Sequence, residues 1–232
     1  MMLDYLAQLA RHGRIDPLEY YVSDVHRAVY VENAKVACTA IKAALYPDSF
    51  EQAAGQEIFH ERLRAKAMHG LPDHAQGYLV FTFVRHPLDR LQSCYRDKVA
   101  GSAAAGGRSI LHRRFHRGIF AAWGGVDIRR GDLPFERFAE AVCRIPDRIS
   151  DRHFASQARM VRAVEAAPRH LVGRMECLDR DWATIREQTG LPELTHANRS
   201  GHRGEGTTTD PATLQRVARR YAADFRALGY QA

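Results

Sequence analysis

The sequence predicts an α/β fold with a central, mainly parallel sheet flanked by helices. Three observations lead there. Residues 29–42 and 78–98 each read as an apolar strand, a sharp turn carrying a cation, and a helix. Residues 78–84 are an almost unbroken run of β-branched and aromatic side chains, the pattern of a central strand covered on both faces. The strand–helix alternation recurs late, where strand-like 170–175 precedes helix-like 178–189.

Taken in order, residues 29–31 form a short strand and 37–45 the helix after it, stopped by Tyr46-Pro-Asp-Ser. Residues 56–68 are helical in pattern and end at Gly70-Leu-Pro-Asp. After the 78–84 strand, Pro87 fits the first turn of a helix, where its missing N–H costs nothing. Glycine-rich 101–109 and basic His112-Arg-Arg-Phe-His-Arg117 make 101–117 an expected mobile loop. Residues 135–143 are an amphipathic helix opened by Asp132 and Pro134. Gly190-Leu-Pro192 ends the 178–189 helix. Residues 198–210 are a second expected loop, and 211–228 a terminal helix with Asp210 as N-cap. At 232 residues the chain is expected to be a single domain, with 1–26 an N-terminal extension.

The hydrophobic fraction of 45% supports a sizeable core, and a formal charge of +7 favours anionic partners. Arginine supplies nearly all the cation; the lysines are Lys35, Lys42, Lys66 and Lys98. The longest apolar run is too short to span a bilayer, and the first residues lack a basic leader with a long apolar core. A cytoplasmic protein with no integral membrane segment is expected. Cys38, Cys94, Cys143 and Cys177 are widely spaced, so a zinc site or disulfide framework is not expected.

Two turns carry the chemistry. Strand ends deliver the chain to a crevice, and a helix N-terminus offers free N–H groups and a positive dipole to phosphate. In the first turn Lys35 follows the strand, and the amides of Ala37, Cys38 and Thr39 can converge on one oxyanion, with the Thr39 hydroxyl added. The nucleotide-kinase P-loop is excluded, because both of its glycines are missing and the lysine precedes the helix. In the second, Arg85 ends the strand and Ser93 lies about two helical turns on. An arginine fork and a hydroxyl suit a second phosphate. Two separated sites point to a nucleotide phosphorylated at both ends of its ribose.

Lys35-Val-Ala-Cys-Thr39 resembles the first motif of the carbohydrate-type (family 2) sulfotransferases, and Arg85-His-Pro-Leu-Asp-Arg-Leu-Gln-Ser-Cys-Tyr-Arg-Asp-Lys98 resembles their second. Val172-Gly-Arg-Met-Glu-Cys-Leu-Asp-Arg-Asp181 and Tyr221-Ala-Ala-Asp-Phe-Arg-Ala-Leu-Gly-Tyr230 are similar to later blocks of the same family, in the same order. The resemblance implies a P-loop-like sulfotransferase fold and transfer of a sulfuryl group from 3′-phosphoadenosine-5′-phosphosulfate (PAPS) to a hydroxyl, most often of a saccharide. It implies that Lys35 contacts the oxygen bridging phosphate and sulfate, that Ala37, Cys38 and Thr39 hold the 5′-phosphate, and that Arg85 and Ser93 hold the 3′-phosphate. No metal is required if lysine and helix dipoles supply the charge.

Asp151-Arg-His-Phe-Ala-Ser-Gln157 resembles an acceptor-side segment of the family, which makes His153 the expected general base. Glu32, His86 and His112 compete for that role. Phe154 stands where the family carries tryptophan, so a sugar-stacking surface there is expected to differ. Asn198, Ser200, Gly201, Arg203 and Gly204 resemble a segment that folds over the nucleotide. Arg90 and Arg96 are expected to be salt-bridged or solvated, and His86 structural. The rival reading is a non-catalytic basic module that binds nucleotide, acidic polysaccharide or nucleic acid. Against it, no Arg/Lys run is interleaved with aromatics, so nucleic acid is not an expected partner.

Overall fold

A computed structural model describes residues 2–100, 114–128, 132–194 and 209–231. The helices and strands are α1 (Met2–His12), β1 (Tyr20–Ser23), β2 (Ala28–Val31), α2 (Cys38–Leu45), α3 (Pro47–Glu51), α4 (Gln56–Arg64), β3 (Leu79–Val84), α5 (Pro87–Tyr95), α6 (Arg114–Ile119), α7 (Phe135–Arg144), α8 (Ala158–Glu165), β4 (His170–Arg174), α9 (Leu178–Thr189), α10 (Pro211–Arg220) and α11 (Ala222–Leu228). The chain divides into two compact units. One, the sheet unit, holds the described residues among 18–85 and 157–203; the other, the helical unit, holds those among 1–17, 86–156 and 204–232. Among the described residues no helix is long and apolar enough to cross a membrane.

The sheet unit is an α/β layer structure built on strand order β1-β2-β3-β4. β1 runs antiparallel to β2, whereas β2, β3 and β4 are parallel neighbours. The period of two along each strand assigns its side chains to faces. Tyr21, Ala28, Tyr30, Leu79, Phe81 and Phe83 pack with α2, α4 and α9 residues such as Ile41, Phe59, Leu63 and Trp182. The alternate residues Tyr20, Val29, Val31 and Val80 pack with Met160 and Val164 of α8. Both faces are therefore covered, and every residue of β3 is buried. Gly173 of β4 leaves room for the Phe83 ring: a Cβ there would come within 2.5 Å of it. Residues 1–26, expected as an extension, carry α1 and the edge strand β1.

The helical unit packs α5, α6, α7 and α10 around Phe120, Phe135, Phe138, Val142, Phe154, Val217 and Tyr221. α5 continues as a π turn through Arg96–Ala100, and α6 as another through Phe120–Gly124.

Several expected boundaries shift. Ala37 caps α2 rather than starting it. The expected stop at Tyr46-Pro-Asp-Ser opens α3, because Pro47 takes the first helical position, where no N–H is needed. The helix expected over 56–68 ends at Arg64, and Met68 instead pairs with Tyr20 as an isolated bridge. Of the expected loop 101–117, residues 114–117 are helical; its remainder, and most of 198–210, lies outside the described residues. The expected terminal helix is broken at Tyr221, which leaves helical geometry as its buried ring donates a hydroxyl hydrogen bond to the Phe154 carbonyl at 2.6 Å. Asp210 caps α10 as expected, accepting from the Ala212 and Thr213 amides at 3.0 Å each.

Candidate functional site

In the sheet unit the parallel strands β2 and β3 bring their carboxyl ends to one edge, the position where open α/β sheets bind ligands. β2 leads through Glu32, Asn33, Ala34, Lys35, Val36 and Ala37 into α2. Lys35 (φ 70°) and Ala37 (φ 57°) are both left-handed, a conformation that costs a non-glycine residue about 1–2 kcal/mol. Such residues curl successive amides into a concavity suited to an anion. No side chain caps α2, and its first intrahelical bond is donated by Ile41 to Ala37. The amides of Cys38, Thr39 and Ala40 therefore lack an intrahelical acceptor. The Ala37 amide, at the N-cap, stands with them, so the expected cluster of Ala37, Cys38 and Thr39 lies at this helix start.

Arg85 follows β3, and its backbone is held by a residue distant in sequence. The buried Gln157 donates from Nε2 to the Arg85 carbonyl at 2.7 Å, and its Oε1 accepts from the Arg85 amide at 3.1 Å. The same Oε1 accepts from Asn33 Nδ2 at 2.9 Å, and that Nδ2 also donates to the Phe83 carbonyl at 2.9 Å. Asn33 and Gln157 thus lace the Lys35 turn to the Arg85 turn. Asn33 carried no signal in the sequence. Gln157 did, as the last residue of the Asp151–Gln157 resemblance, but with no role attached.

Next to the first turn lies a buried ion pair. Lys42 Nζ contacts Glu32 Oε1 at 2.7 Å and stands over the Tyr21 ring, 5.0 Å from its centroid. This engages one oxygen of the Glu32 carboxylate in an ion pair.

In the helical unit, His153 lies on a short segment fixed from several sides. The buried Arg90 donates to the carbonyls of Ala155 at 2.8 Å and Arg152 at 2.5 Å. Its burial, 2% exposed, sets aside the solvated alternative expected for it. Arg152 Nη2 pairs with Asp16 Oδ1 at 2.5 Å, and the Arg152 amide donates to the other Asp16 oxygen at 2.7 Å. The His153 ring Nδ1 meets Asp151 Oδ1 at 2.5 Å, and its amide donates to the same oxygen at 2.9 Å. The other Asp151 oxygen lies 3.4 Å from His116 Nε2. Burial alone would raise the Asp151 carboxyl, yet the two imidazoles hold it below the ordinary carboxylate range. A carboxylate that accepts a hydrogen bond from Nδ1–H leaves Nε2 as the proton acceptor, the arrangement a general base needs.

The remaining candidates separate. Ser93 is half-buried on α5 in the helical unit, whereas Arg85 belongs to the sheet unit. His86 caps α5 and meets the Gln231 carbonyl at 3.2 Å and the rings of Phe225 and Tyr230, the structural part expected of it. His112 and residues 198, 200, 201, 203 and 204 lie outside the described residues. Phe154 is 1% exposed within the core, so it offers no sugar-stacking surface. His116, read as part of a basic stretch, is buried beside Asp151.

The model of the sulfotransferase family matches residues 18–231, running through both units. The chain is similar to carbohydrate sulfotransferase 10 of Xenopus laevis, 23% identical over 252 residues that cover 91% of this chain and 67% of that protein. It is similar to carbohydrate sulfotransferase 11 of Mus musculus, 26% identical over 191 residues that cover 73% of this chain and 52% of the relative. The chain thus spans about half to two thirds of the length of these relatives. No solved structure matches it.

Proposed function

Because the chain belongs to the sulfotransferase family, we propose that it transfers a sulfuryl group from PAPS to a hydroxyl of a carbohydrate, on a P-loop-like sulfotransferase fold. The observation that carries this reading is the turn from Asn33 to Thr39. It places a cation, two left-handed residues and an uncapped helix start at the carboxyl edge of parallel strands. Those residues fit a 5′-phosphosulfate. The likeness to carbohydrate sulfotransferases supports the acceptor class.

In this mechanism the amides of Cys38, Thr39 and Ala40 and the Thr39 hydroxyl hold the 5′-phosphate. Lys35 neutralises charge on the bridging oxygen as its bond to sulfur breaks, an interaction stronger in the transition state than in the ground state. Arg85, with its backbone clasped by Gln157, takes the 3′-phosphate. His153 accepts the proton of the acceptor hydroxyl at Nε2 as the new sulfur–oxygen bond forms, and Asp151 stabilises the imidazolium. Sulfuryl transfer is loose and in line, so positioning and charge neutralisation carry most of the rate.

The test is transfer of radiolabelled sulfate from PAPS to a panel of desulfated saccharides, with phenolic and steroid alcohols as the contrast. Labelled saccharide, abolished by Lys35→Ala, is the expected result. Label on the phenols or steroids alone would move the acceptor to another class. No label on any acceptor would contradict the reading.

A further inference from the structure

The Thr39 hydroxyl meets His60 Nε2 at 3.1 Å, and the other ring nitrogen, Nδ1, meets Lys42 Nζ at 2.9 Å. Lys42 in turn pairs with Glu32 at 2.7 Å. These contacts have a direction. An ammonium has donors only, so Nδ1 of His60 must accept. A neutral imidazole that accepts at Nδ1 carries its proton on Nε2, and Nε2–H then donates to Thr39 Oγ1. The reverse tautomer would set an N–H against the Lys42 ammonium, and an imidazolium would do the same. With Oγ1 accepting from His60, the one hydroxyl proton of Thr39 is available to donate elsewhere. Thr39 sits in the first turn of α2, beside the amides that lack intrahelical acceptors.

We propose that His60 is a positioning residue for the donor's 5′-phosphate. The chain Glu32–Lys42–His60 fixes the Thr39 hydroxyl as a donor, so that it joins the α2 amides on the anion. The proposal rests on the PAPS reading above. It gives a purpose to an ion pair buried beside the turn, and it extends the site to α4, which no motif touches. His60 does not meet the reacting atoms in this scheme; it acts through Thr39.

Two measurements test it. The first needs no ligand: long-range nitrogen–proton correlation spectra of the imidazoles in the free protein, with His60 assigned through His60→Gln. The neutral Nε2–H tautomer is expected near neutral pH. An Nδ1–H tautomer or an imidazolium would overturn the proposal. The second is calorimetric affinity for 3′-phosphoadenosine-5′-phosphate in His60→Ala, Thr39→Val and the double variant. Each single change is expected to weaken binding about ten-fold, with the double variant no worse than Thr39→Val alone. His60→Gln is expected to recover part of the loss, since its amide can accept from Lys42 and donate to Thr39 in the same sense. Additive losses, or an unchanged His60→Ala, would remove His60 from the site while leaving the PAPS reading standing. Failure of the wild type to bind would overturn both.

Discussion

Gln157 holds Arg85 by both of its backbone polar groups, donating to the carbonyl at 2.7 Å and accepting from the amide at 3.1 Å. The residues are 72 apart in sequence, and the contact fixes where the chain leaves β3. Gln157→Ala would leave the Arg85 backbone groups and the buried Asn33 amide short of partners. Each such loss costs about 1–3 kcal/mol, so a fall of several degrees in Tm is expected. Affinity for the bisphosphate nucleotide is expected to fall with it, and Arg85→Ala in the Gln157→Ala background to add little further. Full additivity would show that the clasp does not position Arg85.

Lys35→Ala is expected to abolish turnover while affinity for 3′-phosphoadenosine-5′-phosphate falls much less, because the charge it meets develops only as sulfur departs. Arg85→Ala is expected to do the opposite, weakening the bisphosphate while leaving the already weak binding of AMP unchanged. Wild-type turnover by Lys35→Ala would take Lys35 out of the chemistry.

His153→Ala is expected to lower kcat by about 10²–10⁴-fold with nucleotide affinity retained. Asp151→Asn keeps the shape but loses the carboxylate that accepts the Nδ1–H hydrogen bond, so a smaller fall in kcat is expected, again without loss of nucleotide binding. A mild effect of His153→Ala on kcat would return the residue to a packing role.

Acid stability has a separate anchor. Asp147 ties together three stretches of the helical unit: it pairs with Arg14, accepts from Arg220 Nη2 at 3.0 Å and from the Ser156 amide at 2.8 Å. Burial alone would raise its carboxyl, but the Ser156 amide and the two guanidinium groups outweigh that and lower it from 3.8 to about 2. A carboxyl depressed by folding stabilises the native state above its unfolded value and loses that contribution as pH falls through the folded one. The contribution is about 2 kcal/mol, present at neutral pH and lost between pH 3.8 and about 2. Thermal scans of wild type and Asp147→Asn across that window are expected to differ at neutral pH and converge at its acid end. A gap of constant size would show that Asp147 acts by packing alone.

Much of the frame was legible in residue pattern. The continuous apolar run before Arg85 could only be a strand covered on both faces, and Pro87, Gly190 and Asp210 mark helix ends because each has a local backbone consequence. What escaped was set by tertiary partners. β1 is four residues long and gains its identity from pairing with β2. The break at Tyr221 follows from where its ring and hydroxyl find the core. Lys35, Arg85 and His153 stood out because they lie at strand ends or inside a motif. Asn33 and Gln157 are joined across 124 residues, and His60 lies on a helix with no local mark of its contact to Thr39.

The central claim is that the Lys35 turn and Arg85 together read a nucleotide phosphorylated at both ends of its ribose. The most direct measurement is calorimetric binding of 3′-phosphoadenosine-5′-phosphate against AMP and ATP, without metal and at physiological salt. Tight binding of the bisphosphate with AMP and ATP much weaker is the predicted result. Equal binding of all three, or binding of none, would contradict it.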